Sequence, residues 1–172
     1  MRYDKMDKKC IEKICDKVNV DSKLLNEVID VIIQPYCRHL DAYVQFITDC
    51  LGDGETPPTT AELEDFSLNL STNIYWASGM SEQLGIKDDI SRAIYKEIYH
   101  TARDNETSGT VADKDSIAEL ASQQEYLTNV CYNRAYKIMK AKVENAQELL
   151  GAVKKVLSHR MQQEELTRIG GN

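Results

Sequence analysis

Three patterns in this chain have the residue types and spacing that chemistry asks for. Glu97 and His100 stand three apart, so on a helix a carboxylate and an imidazole share one face, the pairing that holds iron between bundle helices. That use needs a second copy and two further glutamates, yet neither His39 nor His159 follows a glutamate by three. A solvated histidine is the simpler expectation. Glu27 with Asp30, and Glu62 with Asp65, repeat the spacing with carboxylates alone, a start on a magnesium site. The third pattern is basic: Arg134, Lys137, Lys140, Lys142, Lys154, Lys155 and Arg160 crowd one late segment, opposed there only by Glu144 and Glu148. Tyr132 and Tyr136 sit among them, four apart. Cations for phosphates beside rings that can stack on bases are what single-strand binding surfaces combine, although tyrosines at helical spacing also line packed seams.

The carboxylate pairs resemble those of the all-α nucleotide pyrophosphatases, a family that sets an E-x-x-E element against an E-x-x-D element. No E-x-x-E occurs here between Glu12 and Glu144, and Glu62 is better used at a helix start, so an enzyme ranks behind a binding protein. No serine or cysteine lies in a nucleophile elbow, and no glycine-rich turn is placed to cradle phosphate. Cys10, Cys15, Cys37, Cys50 and Cys131 are odd in number, scattered, and fall on apolar helical positions, which reads as reduced buried thiols. No catalytic residue, metal or cofactor is assigned.

The elements that must position these groups are all helical, and the fold expected is an all-α bundle. Ile11, Ile14, Cys15 and Val18 form the stripe of a first short helix, and Leu24, Leu25, Val28, Ile29 and Ile32 that of a second. Pro35 should kink or end the second, and a third runs on through Leu40, Tyr43, Val44, Ile47 and Leu51. Gly52 to Thr59, with Pro57 and Pro58, is an exposed connection and the best boundary, separating an N-terminal helical segment, 1–52, from a hairpin, 60–172. Thr59 and Glu62 make a capping box for a helix through Leu63, Phe66, Leu70, Ile74 and Met80, closing near Gly85. Asp88 and Asp89 then suit the first turn of another helix, which stops by Asn105. Asp104 to Thr110 is the hairpin loop. From about Ala112 towards Leu166 one long amphipathic helix is expected, with Gly151 its one weak point. Its apolar face includes Leu127, Ile138, Val143, Leu150, Val153 and Leu157, and at ~1.5 Å per residue it would outrun a compact domain, so a second copy of the chain is expected to cover it.

Composition narrows the partners. The formal charge of -7 on 172 residues argues against bulk attraction to duplex DNA. The charge is lopsided, because Asp49, Asp53, Glu55, Glu62, Glu64 and Asp65 form a run without a base. No stretch is long and apolar enough for a membrane span, and the first residues lack the apolar core of an export signal, so a cytoplasmic protein is expected.

From about Ile74 to Met161 the layout resembles the small phage recombination mediators of the UvsY type. The likeness lies in a helix, a polar glycine-containing loop, the helix start Ala112-Asp113-Lys114-Asp115 and a long closing helix. It implies single-stranded DNA binding, ring assembly through helices, help in loading a recombinase, and, for a phage protein, the host cytoplasm. The family carries a basic pair before the loop; the matching positions here are Thr101 and Arg103, so one base of the pair is missing. The expectation is therefore a homo-oligomer that engages single-stranded nucleic acid or a nucleoprotein complex. Its contacts would be Arg103, Arg134, Lys137, Lys140, Lys154, Lys155, Tyr132 and Tyr136. The alternative is a non-enzymatic interaction module that uses its acidic front to occupy a basic protein surface.

Overall fold

The computed structural model describes residues 8–52 and 57–170. Four helices account for nearly all of them: α1 Lys8–Gly52, α2 Thr60–Asn105, α3 Val111–Ala121 and α4 Gln123–Gly170. At 1.5 Å per residue the three long helices run about 67, 69 and 72 Å. A compact chain of this length would be roughly 40 Å across. The molecule is instead a rod of three long helices, closed at one end by α3.

Local chemistry sets the helix ends. Thr59 accepts from the Glu62 amide while the Glu62 carboxylate accepts from the Thr59 amide at 2.7 Å, so α2 starts in a capping box. Thr110 and Asp113 repeat the device at α3. Between them the chain turns at Gly109, whose φ of 89° lies in the left-handed region that a side chain resists. Hydrogen bonds donated by the Thr59 amide and hydroxyl draw the Glu62 carboxyl below its ordinary range, and those from the Thr110 hydroxyl and amide do the same for Asp113.

Packing sets the order of the rod. α2 and α4 are antiparallel: Thr60 donates to Glu164 and Arg160 to the Pro58 carbonyl near one end, while Gly85 meets Tyr136 towards the other. Along α2, Leu63, Phe66, Leu70, Ile74, Ala77, Ser81 and Leu84 recur at steps of three and four and are buried. Against them α4 buries Ala135, Met139, Val143, Ala146 and Val153. α1 lies along this pair, antiparallel to α2 (Phe46 edge-on to Phe66, centroids 5.7 Å apart) and parallel to α4 (Lys142 Nζ to Asp41 at 2.7 Å). Its Ile29, Ile33, Cys37, Leu40 and Ile47 join the same core cluster.

Three expected breaks are absent. Pro35 lies inside α1, which is one helix where three segments were expected. The carbonyl that proline orphans belongs to Val31, 76% exposed, so water can serve it while Ile33 and Cys37 stay buried on the other side. The side chains of Cys10, Ile11 and Ile14, at the start of α1, and residues Asp53 and Glu55 of the acidic run lie outside what the structure describes. Gly85 does not end a helix either, because α2 continues to Asn105. Gly151 does not interrupt α4. The break falls at Ser122, whose buried hydroxyl donates to the Ala118 carbonyl at 2.7 Å, the kind of back-bond that bends a helix.

The apolar face of α4 outruns a compact body, and α2, nearly as long, shelters part of it within the chain.

Candidate functional site

The residues expected to contact nucleic acid separate into three groups. Arg103 is committed: its Nε donates to Asp115 Oδ1 at 2.6 Å, tying the end of α2 to the start of α3, and that carboxylate raises the arginine pKa further. Tyr99 approaches the same oxygen at 3.3 Å. Tyr132 and Tyr136 are half-buried against the core, and the Tyr136 ring lies over Gly85, where an added Cβ would come within 3.1 Å of Cε2. Both rings serve the bundle seam. Arg134, Lys137, Lys140, Lys154 and Lys155 are exposed on α4 and make no ion pair among the described residues. Arg134 and Lys137 also line a shallow groove with Ser22 and Asn26 of α1. Lys142 differs from these five, being held by Asp41.

The residues expected at a subunit interface divide likewise. Val143 and Val153 are 8% and 1% exposed, packed inside the chain's own core rather than offered to a second copy. Leu150 and Leu157 are half-buried against the same core. Leu127 and Ile138 remain open at 43% and 39%.

The carboxylate pairs do not assemble. Glu62 is occupied in its capping box, Glu64 and Asp65 are exposed, and Glu27 and Asp30 point to solvent from α1. His100 stacks edge-on to Tyr99 with centroids 5.5 Å apart. Among the described residues no three His, Cys, Asp or Glu side chains converge as a metal site would require. Cys37 and Cys131 are buried, Cys50 is half-buried and Cys15 is exposed. Burial first, and the neighbouring Asp41 next, push the Cys37 thiol up to about 11, which leaves it protonated and unreactive. No described helix is long and apolar enough to cross a membrane.

Two features escaped the sequence reading. The first is a polar layer in the seam. Asp88, expected in a helix first turn, is 3% exposed between α2 and α4. Its Oδ2 accepts from Asn133 Nδ2 and Arg92 Nη2, both at 2.9 Å, and its Oδ1 from Asn129 Nδ2 at 3.2 Å. Ser91 joins the layer through the Asp88 carbonyl and the Asn129 amide. The sequence signal was available: with α2 continuous, Asp88 and Ser91 extend the buried stripe of Leu84 by steps of four and three.

The second feature is exposed apolar surface. On α2, Leu68, Tyr75 and Trp76 are 67%, 72% and 64% exposed, and the two rings meet edge to face at 5.5 Å. All three fall off the buried stripe of α2, which is the signal that marks them. Ile90 and Ile94 on α2, and Val20, Leu24 and Val31 on α1, are open as well. The total accessible area is 12990 Å². A compact monomer of this mass would expose roughly 8,600 Å². Comparison with protein-family models, with curated proteins and with solved structures found no match to this chain.

Proposed function

We propose that this chain is a non-enzymatic helical interaction protein, a rod whose apolar rows are covered by other polypeptide. The observation that carries this reading is the Tyr75–Trp76 pair, two large rings in water with Leu68 two turns before them. Tryptophan and tyrosine dominate the energy of protein interfaces, and nothing in the chain's own packing requires them outside. The test is a photo-crosslinking amino acid in place of Trp76, with irradiation in the producing cells. A discrete polypeptide adduct is expected, absent when the crosslinker replaces Lys96 on the far part of α2. Its absence at both position 75 and position 76 ends the reading.

A second reading is nucleic-acid or nucleoprotein binding. It is favoured by the five unpaired cations of α4, Arg134 to Lys155, which span about 32 Å of one helix on an otherwise acidic protein. The resemblance to the UvsY-type mediators points the same way. Anisotropy of labelled oligonucleotides decides it: salt-sensitive binding at micromolar protein, abolished by replacing Lys154 and Lys155 with Glu, is the expected result. The acidic alternative would be lost instead on neutralising Glu62, Glu64 and Asp65.

A further inference from the structure

The groove between α2 and α4 is filled by α1 only along part of its length. At Tyr36, α1 still sits over α2, with Lys87 Nζ on the tyrosine hydroxyl at 2.5 Å. Towards its N-terminus α1 drifts sideways onto α4, where Leu25 and Ile29 face Val130 and Arg134, and among the described residues it makes no contact with α3. The abandoned stretch is an open trough lined by Lys87, Ile90, Ile94, Glu125, Thr128 and Tyr132. Ile90 and Ile94 are 54% and 45% exposed in it. One oxygen of Glu125 is shut off from solvent and finds no hydrogen-bond donor among the described residues. A buried carboxylate oxygen without a donor costs free energy, so the trough lacks a cation or donor as well as apolar cover.

The chain itself carries a segment of the complementary kind. On α1, Lys17, Leu24 and Val31 stand seven apart, with Val20 between the first two, and all are exposed on the face turned away from Ile29 and Ile33. Nothing among the described residues covers this row. Its charges match the trough in order: Lys17 and Glu27 flank Val20 and Leu24, as Glu125 and Lys87 flank Ile94 and Ile90. Lys17 to Glu27 is about 15 Å of helix and Lys87 to Ile94 about 10 Å, a difference that the long charged side chains span.

We propose that the outer face of α1 between Lys17 and Val31 docks into the α2–α4 trough of a second copy of this chain. Lys17 answers the orphaned oxygen of Glu125, and Glu27 meets Lys87, which keeps donors beyond the one given to Tyr36. Each copy offers both halves, so two such contacts close a two-fold dimer and leave no open end. The inference rests on the interaction-protein reading and names one partner for it. The Leu68–Tyr75–Trp76 face stays free for another.

Light scattering on the eluting full chain at micromolar concentration tests the proposal. A dimer is expected, with Leu24→Asp and Ile94→Asp each shifting it to monomer at unchanged helix content, since both side chains are exposed. Mixing the two variants should restore a dimer, because one of its two contacts then joins an intact row to an intact trough. Lys17→Glu and Glu125→Lys should each raise the dissociation constant by about tenfold, and the double variant should recover most of it. A monomeric wild type overturns the proposal. So does a dimer that survives both aspartates, or a charge exchange that fails to rescue. A monomer that still crosslinks through Trp76 removes this inference alone, whereas a rescued dimer without that crosslink leaves the dimer standing and removes the other.

Discussion

The seam between α2 and α4 has two unlike halves. From Leu63 to Leu84 it is apolar except for Ser81, and Leu63, Leu70, Leu84 and Met139 are wholly buried there. Beyond Leu84 it turns polar: Asp88 gathers two asparagine amides and an arginine, and Ser91 completes the layer. The apolar half supplies stabilisation but little choice, since heptad steps along it run from Leu63 to Leu70, Ala77 and Leu84, all of them apolar. The polar half contributes less and discriminates more, because a shift of one turn leaves a buried carboxylate facing apolar side chains. Two long antiparallel helices need both properties.

The comparison breaks first at its apolar end. Leu70→Ala should cost about 3 kcal/mol, from lost transfer energy and the cavity left behind. Two residues earlier, Leu68→Ala should stay within about 0.5 kcal/mol, because that side chain is already in water. Urea titration followed by circular dichroism checks both. Equal losses at the two positions would mean that Leu68 is covered.

At the polar end, Asp88→Ala removes the acceptor for Asn129, Asn133 and Arg92, and a loss of about 2 kcal/mol is expected. Replacing Asp88 and Asn133 together by Leu should return most of that stability but not the single register. Its amide resonances should then multiply where the wild type shows one set. A double variant with one sharp set would show that the polar layer adds nothing to register.

Glycines sharpen the same contrast on a smaller scale. Gly151 has open space where a Cβ would stand, so Gly151→Ala should stabilise by about 1 kcal/mol through helix propensity alone. At Gly85 the same gain is opposed, because the new Cβ would lie 3.1 Å from the Tyr136 ring at the border of the two halves. Gly85→Ala should therefore be less stable than Gly151→Ala, by an amount that reports how far Tyr136 can yield.

These glycines also show what could be read from the sequence. The stripes, the loop before Thr110 and the box at Thr59 were legible because each follows from a few neighbouring residues: a period, a glycine, a hydroxyl three places before a carboxylate. Pro35, Gly85 and Asp88 misled for one shared reason. Each follows a local rule as a helix breaker or first-turn acid, and each is overridden by a partner far away in sequence: the core under Ile33 and Cys37, the ring of Tyr136, the amides of Asn129 and Asn133. The candidate surface was less legible still. Arg103, Tyr132 and Tyr136 have the right chemistry for nucleic acid, but only packing shows that all three are already engaged, while Trp76 announces itself by missing every stripe.

The smallest expected effect lies at the helix starts and has a definite sign with pH. Glu62 and Asp113 both titrate below their ordinary range in the folded chain, because capping amides and hydroxyls favour their charged forms. A carboxyl with a depressed folded pKa binds its proton more readily when unfolded, so its contribution is complete above the ordinary carboxylate range. It disappears as pH falls through the depressed values. Glu62→Gln keeps a side chain that can accept from the Thr59 amide but cannot titrate. The difference in urea midpoint between wild type and Glu62→Gln should thus be largest at neutral pH and should close on acidification. A gap that stayed constant with pH would mean that the box at Thr59 holds α2 by geometry rather than by charge.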